Sequence, residues 1–329
     1  MIDPILEKLL DESRRHTGGE PTAELRKAAG AFLSRADSDP TILIAAANAL
    51  PTLTLPGCGW LALVLGTAVE RGTDPAATMP GLMQFLRSCL PKLPVPETTQ
   101  DDDGEETELY PEPTPDQETL LKALRPVGQG MVAHLARLPA ERLKLAEDHE
   151  LMKRLEELSG YSPGVNWVLE ALRRKSGILI VLHPPSGCGF KLRYENIGRN
   201  FHLFSLLQAA VGTRVPGGRE PDPKVVAAAH GQTGDQVYDQ AWWHYGDPRS
   251  KTPDIRKSIW GEGQPTEVPV INGSRVMLLW PPILKPRTWN EGFFGPYLQA
   301  MPASVVVEEE LSRENAQEWL QALGISIES

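Results

Sequence analysis

Ten carboxylates and no Lys or Arg lie between residues 93 and 121, interrupted by Pro94, Pro96, Pro111, Pro113 and Pro115. Like charges repel, proline removes a backbone donor, and apolar residues are scarce. Such a stretch cannot bury enough surface to offset the entropy lost on ordering it. Residues 1–92 carry nine bases and ten acids and residues 122–329 carry 24 and 23, so the net charge of −10 resides in this one segment. The pattern predicts an acidic, Pro-rich, disordered linker over 93–118. A helical bundle is expected over 1–92 and an α+β domain over 119–329. A chain of 329 residues suits about two domains, and a 41% hydrophobic content supplies a core for each.

Helix signals dominate the first region. Ile5, Leu9 and Leu10 recur at helical spacing, and Leu25, Ala29 and Phe32 share one face of a second helix from about Pro21 to Arg35. Asp39-Pro40 and Asp74-Pro75 each join a side-chain cap to a ring whose missing N–H costs nothing in a first turn. A helix over Trp60–Glu70 stops at Gly72, and Met79, Leu82, Met83, Phe85 and Leu86 mark another. From Pro40 to Val69 there is no charged residue, long enough for a membrane span, which needs about 20 apolar residues. Pro51 and Pro56 break that run, so it reads as two buried helices joined by a Leu-Pro-Thr-Leu-Thr-Leu-Pro turn, with no membrane association.

After the acidic segment, helices are expected at Asp116–Leu138, Ala140–Leu158 and Ser162–Arg174. The texture then changes. Ile178–Leu182 is an apolar run of strand length, and Phe190, Leu192 and Tyr194 alternate with Lys191, Arg193 and Glu195, the period of a half-buried strand. The turn between them, 184–189, makes a hairpin. Short helices follow at Phe201–Val211 and Pro223–Ala229. Val268, Val270 and Ile271 lead through Asn272-Gly273 into Val276–Trp280; Asn-Gly tolerates positive φ at both positions and specifies a two-residue hairpin. Ser304–Glu309 reads as a last strand, and Ser312 caps a final helix to Leu323. The second region is therefore helices followed by a mainly antiparallel sheet of about five strands, an α+β order.

No P-loop, dinucleotide-binding glycine motif or nucleophile elbow is present. Cys58, Cys89 and Cys188 are few, odd in number and far apart, unlike a secreted disulfide framework, and the N-terminus lacks a signal peptide's pattern. A cytoplasmic protein without cofactor or metal is the expectation. Histidines 183, 202, 230 and 244, with Cys188, are the possible zinc ligands, but no two share a helix face at ligand spacing. His183 and Cys188, five apart across the hairpin turn, are the candidate catalytic pair, since an imidazole beside a thiol can activate it.

Two segments concentrate binding chemistry. Trp242, Trp243, His244, Tyr245 and Trp260 are interleaved with Arg249, Lys251, Arg256 and Lys257. Pro281–Pro302 carries Trp289, Phe293, Phe294 and Tyr297 on a long connection. Trp, Tyr and Arg supply most interface hot-spot energy; equally, the tryptophans could plug a core under a long loop. The first functional expectation is a protein–protein interaction or scaffold module with a protein partner. The alternative is an enzyme of hydrolase or transferase type, its site between the 183–188 turn and the 242–260 loop. Nucleic-acid binding is the weakest reading, because charge outside the acidic segment is balanced and leaves no broad basic face.

Overall fold

Small polar residues open the helices. Asp3 Oδ1 accepts from Ile5 N at 2.8 Å to start α1 (Pro4–Arg15), and Thr22 caps α2 (Ala23–Ser38). The charge-free stretch forms α3 (Thr41–Ala49) and α4 (Leu55–Glu70). Its helix begins earlier than expected, because Thr54 caps Gly57 N and Pro56 sits in the first turn. Next comes α5 (Met79–Cys89), then the hairpin β1 (Glu97–Gln100) and β2 (Glu106–Leu109). The helices α6 (Pro115–Arg137), α7 (Pro139–Ala146), α8 (His149–Leu158) and α9 (Pro163–Arg173) follow. The computed structural model describes residues 3–100, 106–233, 235–285, 287–291 and 300–325. No helix among them is long and apolar enough to cross a membrane.

The chain divides into units Met1–Leu172 and Arg173–Ser329, so the charge-based boundary at 93–118 is not where the units part. The helices from Pro115 onward pack with the N-terminal ones. Glycines allow this. A Cβ on Gly66 of α4 would lie 2.7 Å from Gly130 Cα of α6, and one on Gly130 would lie 2.2 Å from Ala62 O. A Cβ on Gly128 would lie 2.2 Å from the carbonyl oxygen of Gly164 on α9. Backbones meet where side chains are missing.

The acidic segment is also not the free spacer that its charge predicts. Among its described residues, Glu97–Gln100 pairs antiparallel with Glu106–Leu109. Its ends are tied to the helices. Leu93 is buried, Arg154 Nη2 donates to the carbonyls of Leu90 and Leu93 at 2.9 and 2.7 Å, and Tyr161 Oη donates to Pro111 O at 3.2 Å. Tyr110 packs edge-on against Tyr161. The helix expected over 140–158 is two helices, because the Asp148 side chain accepts from Leu151 N at 3.0 Å and starts α8 afresh.

The C-terminal unit has β3 (Lys175–His183), β4 (Cys188–Ile197), α10 (Asn200–Val211), α11 (Pro223–Ala229), β5 (Val237–Gln240) and β6 (His244–Gly246). It continues with β7 (Val270–Ile271), β8 (Ser274–Trp280), β9 (Thr288–Glu291), β10 (Ser304–Glu310) and α12 (Arg313–Ala322). The main sheet runs β10-β4-β3-β8-β6 with β7 paired to β8; β5 and β9 form a separate pair. All neighbours are antiparallel except β3 and β8, where Leu182 faces Leu278 in a parallel register. The fold is α+β, helices first and a mostly antiparallel sheet after. Asn272 and Gly273 both adopt positive φ, 49° and 79°, as the hairpin between β7 and β8 requires.

Alternation divides the sheet between two cores. Leu179, Val181, Phe190, Leu192, Met277 and Leu279 face α10. Ile180, Leu182, Val276, Leu278 and Trp280 face α12, which supplies Ala316 and Leu320. The α10 face is the aromatic one, and the open feature of this unit lies beside it.

Candidate functional site

Helix α10 is buried along most of its length, its polar Asn200, His202, Ser205 and Gln208 included, as befits a helix enclosed by protein. Its first turn carries Phe201 and Phe204. Phe204 stacks on Tyr245 of β6, with ring centroids 3.7 Å apart and planes 4° from parallel. Phe201 stacks on Trp289 of β9 at 5.0 Å. These rings form the wall of a small open cleft, with a cavity volume of about 60 Å³, completed by Ile255, Arg287 and residues 258–260 and 282–285. Mostly apolar clefts with a few polar groups are the usual form of ligand sites.

A buried polar chain holds the wall in place. Asp239 Oδ2 accepts from Ser205 Oγ at 2.6 Å and from Gln208 Nε2 at 3.0 Å. Ser205 Oγ in turn accepts from Trp289 Nε1 at 3.0 Å. Gln208 Oε1 accepts from Tyr245 Oη at 2.6 Å and from Trp242 N at 3.1 Å. One carboxylate on β5 therefore orients, through two side chains of α10, three residues of the aromatic cluster. Burial pushes the Asp239 carboxyl up, opposed by the Ser205 bond. Burial, then the Asp239 charge, pushes the Tyr245 phenol well up, so it stays a hydrogen donor.

The mouth is built differently. Trp260 is 45% exposed, Ile283 38% and Leu284 56%. The Arg287 guanidinium lies 4.7 Å from the Trp260 ring centroid and 5.5 Å from that of Phe201, and Nη2 donates to Glu262 at 2.9 Å. Arginine over an indole face is a favourable cation–π contact. Among the described residues, the cleft lining contains Lys285, Arg287 and His244 but no carboxylate and no thiol. Burial lowers the His244 imidazole, partly offset by Asp254.

The chain matches no family model, no curated protein and no solved structure.

Of the residues singled out for binding, Trp242, Trp243, His244, Tyr245 and Trp289 are buried. Trp242 packs edge-on against Trp243, whose Nε1 donates to Pro216 O at 2.8 Å. These rings are packing, except where Trp243, Tyr245 and Trp289 reach the cleft wall. Arg249 is committed to Asp247, donating from Nε at 2.8 Å. Burial would raise the Asp247 carboxyl, but the Arg249 bonds hold it below the usual range. Arg256 pairs the same way with Asp254, Nε to Oδ1 at 3.3 Å. Among the described residues of the set, Trp260 alone presents a large exposed ring. Phe293 and Phe294, with Tyr297, lie outside the described residues. Phe201, Phe204, Ile283, Leu284 and Arg287 belong to the cleft and were not singled out. The predominance of Phe and Leu over 201–207 was the available signal for the first two.

His183 and Cys188 are cross-strand neighbours at the mouth of the β3–β4 hairpin. Ser186 links them: its Oγ lies 2.8 Å from His183 Nδ1 and donates to Cys188 Sγ at 3.1 Å. Burial raises the thiol and lowers the imidazole. Both neutral forms are favoured, the opposite of a thiolate–imidazolium pair, so the thiol is a weak nucleophile at neutral pH. Neither residue lines the aromatic cleft. His202 and His230 are occupied. His202 Nδ1 accepts from Arg174 at 3.1 Å and Nε2 donates to Ala229 O at 2.6 Å; burial brings its pKa down to about 3. His230 Nδ1 bonds Ala303 O at 2.8 Å. No cluster of three or more His, Cys, Asp or Glu suited to a metal occurs among the described residues.

Proposed function

We propose that the C-terminal unit is a protein-interaction module whose aromatic cleft receives an apolar side chain of a partner protein. The observation that carries this reading is the mouth: Trp260, Ile283 and Leu284 are exposed around an opening lined by stacked rings. Contiguous apolar surface rimmed by polar groups marks interaction sites. Trp260, with Arg287 across its ring, has the composition of a hot spot. Three free cysteines, two of them buried, suit the reducing cytoplasm, where we assign the protein.

The test is photo-crosslinking in extracts of the source cells, with p-benzoylphenylalanine at position 284 of the full chain. A matched variant carries it at Lys122, exposed on α6. A discrete adduct is expected from 284 and not from 122. Adding Trp260→Ala should weaken it at least about tenfold, as loss of a hot-spot ring does. Identical adducts from both positions, or indifference to Trp260→Ala, would remove this reading.

A further inference from the structure

Charge at the cleft narrows the kind of partner. Among the described residues, Lys285 and Arg287 line it and no carboxylate does, in a chain with 43 acids and 33 bases. The nearby acid paired to the rim is Glu262, which engages one Arg287 nitrogen, Nη2. A guanidinium has five N–H donors, so this leaves Arg287 further bonding capacity. Lys285 is exposed and makes no ion pair or hydrogen bond among the described residues. The wall beneath is apolar and fixed, with Phe201, Phe204 and Trp289 held by stacking and by the Ser205–Asp239 chain.

We infer that the cleft takes an acidic peptide segment, an apolar side chain with carboxylates on either side, from a partner protein. This rests on the cleft being the docking site. The apolar side chain enters among the rings, and the flanking carboxylates meet Lys285 and the free N–H groups of Arg287. Charged rims steer association and select partners more than they add affinity. The charge preference is therefore moderate and sensitive to salt, while apolar burial carries the affinity.

The experiment is fluorescence anisotropy of the full chain with four end-capped synthetic peptides. Three share a Leu-Leu-Phe centre and differ in flanks: glutamate, glutamine or lysine. The fourth has glutamate flanks around three asparagines. At low salt the glutamate-flanked Leu-Leu-Phe peptide should bind about tenfold tighter than the glutamine one, and the lysine one weakest. The gap should close at about 0.5 M salt, where the Debye length is a few ångströms. Lys285→Glu, an exposed change, should abolish or reverse the order. If the three Leu-Leu-Phe peptides bind alike and all exceed the asparagine peptide, the acidic preference is wrong and the apolar docking site stands. If the asparagine peptide binds as well as the others, the cleft is not the docking site and both ideas fall.

Discussion

The two units solve packing in opposite ways. In the N-terminal unit, α4, α6 and α9 meet backbone to backbone at Gly66, Gly128, Gly130 and Gly164, positions where a Cβ would collide with main-chain atoms. In the C-terminal unit the α10 side of the sheet is filled by rings: Phe190, Tyr194, Phe201, Phe204, Trp242, Trp243, Tyr245 and Trp289. The first mode leaves no room to add atoms. The second tolerates no removal, because each ring fills a large share of the interior. It is also the mode that leaves an opening, since flat rings stacked at the edge of a sheet end in exposed faces and Trp260 continues the series into solvent.

The largest expected effect comes from removing a ring. Phe204→Ala deletes a buried side chain that stacks on Tyr245 and leaves a cavity beside the Gln208 network. A cost of about 3–5 kcal/mol is expected. Hydrogen exchange followed by mass spectrometry should show lost protection in peptides from 173–325 with little change in those from 4–172. Equal loss in both would show that the contrast between the units does not extend to their stabilities.

The next effect belongs to the tightly packed unit and depends on pH. His134 on α6 is fully buried. Nδ1 lies 2.7 Å from Gly130 O and Nε2 lies 2.7 Å from Thr78 Oγ1. Burial brings its pKa from 6.5 down to about 4, against the raising effect of the Gly130 bond. The folded state therefore keeps the ring neutral while the unfolded chain binds a proton. Stability from this group is complete above pH 6.5 and is lost as pH falls toward 4, by about 3 kcal/mol in all. The difference in urea unfolding between the protein and His134→Gln, followed from pH 7.5 to 4, isolates it, because other titrating groups cancel. A difference that stays constant over that range would mean the ring is already charged, or reachable by water, in the folded state.

What the sequence made legible follows the same division. The helix start at Ser312 and the Asn272-Gly273 turn were readable because each is decided by one or two local residues. The β3–β8 parallel pairing was not, because it joins residues about 100 apart with no local signal. Charge placed a boundary at 93–118. It was outweighed by contacts that composition cannot report: Arg154 capturing two carbonyls, Tyr161 reaching Pro111, and glycines on α4 and α6. At the cleft, residue type left the tryptophans open between surface chemistry and a core plug, and the arginines were read as surface chemistry. Most of the tryptophans are interior, and Arg249 and Arg256 are occupied by aspartates two residues away. The exposed part, Ile283, Leu284 and Arg287, sits in a stretch whose order no periodicity announces.

The smallest effects give the sharpest comparison, since one chemical change should have opposite signs in two helices of the same unit. Gly130→Ala on α6 puts a Cβ 2.2 Å from Ala62 O, a backbone atom that moves only if α4 moves. Overpacking of this kind costs about 1–3 kcal/mol. Gly30→Ala lies inside α2, exposed, where a Cβ meets nothing within 4 Å. There the replacement removes backbone freedom from the unfolded chain and should stabilise by about 0.5–1 kcal/mol. Both can be read from the urea midpoint of the full chain at constant slope. If Gly130→Ala proved neutral or stabilising, α4 and α6 would not be in backbone contact, and the glycine mode of packing assigned to this unit would have to be withdrawn. If Gly30→Ala were destabilising as well, the cost would belong to glycine loss in general and not to the close approach at Gly130.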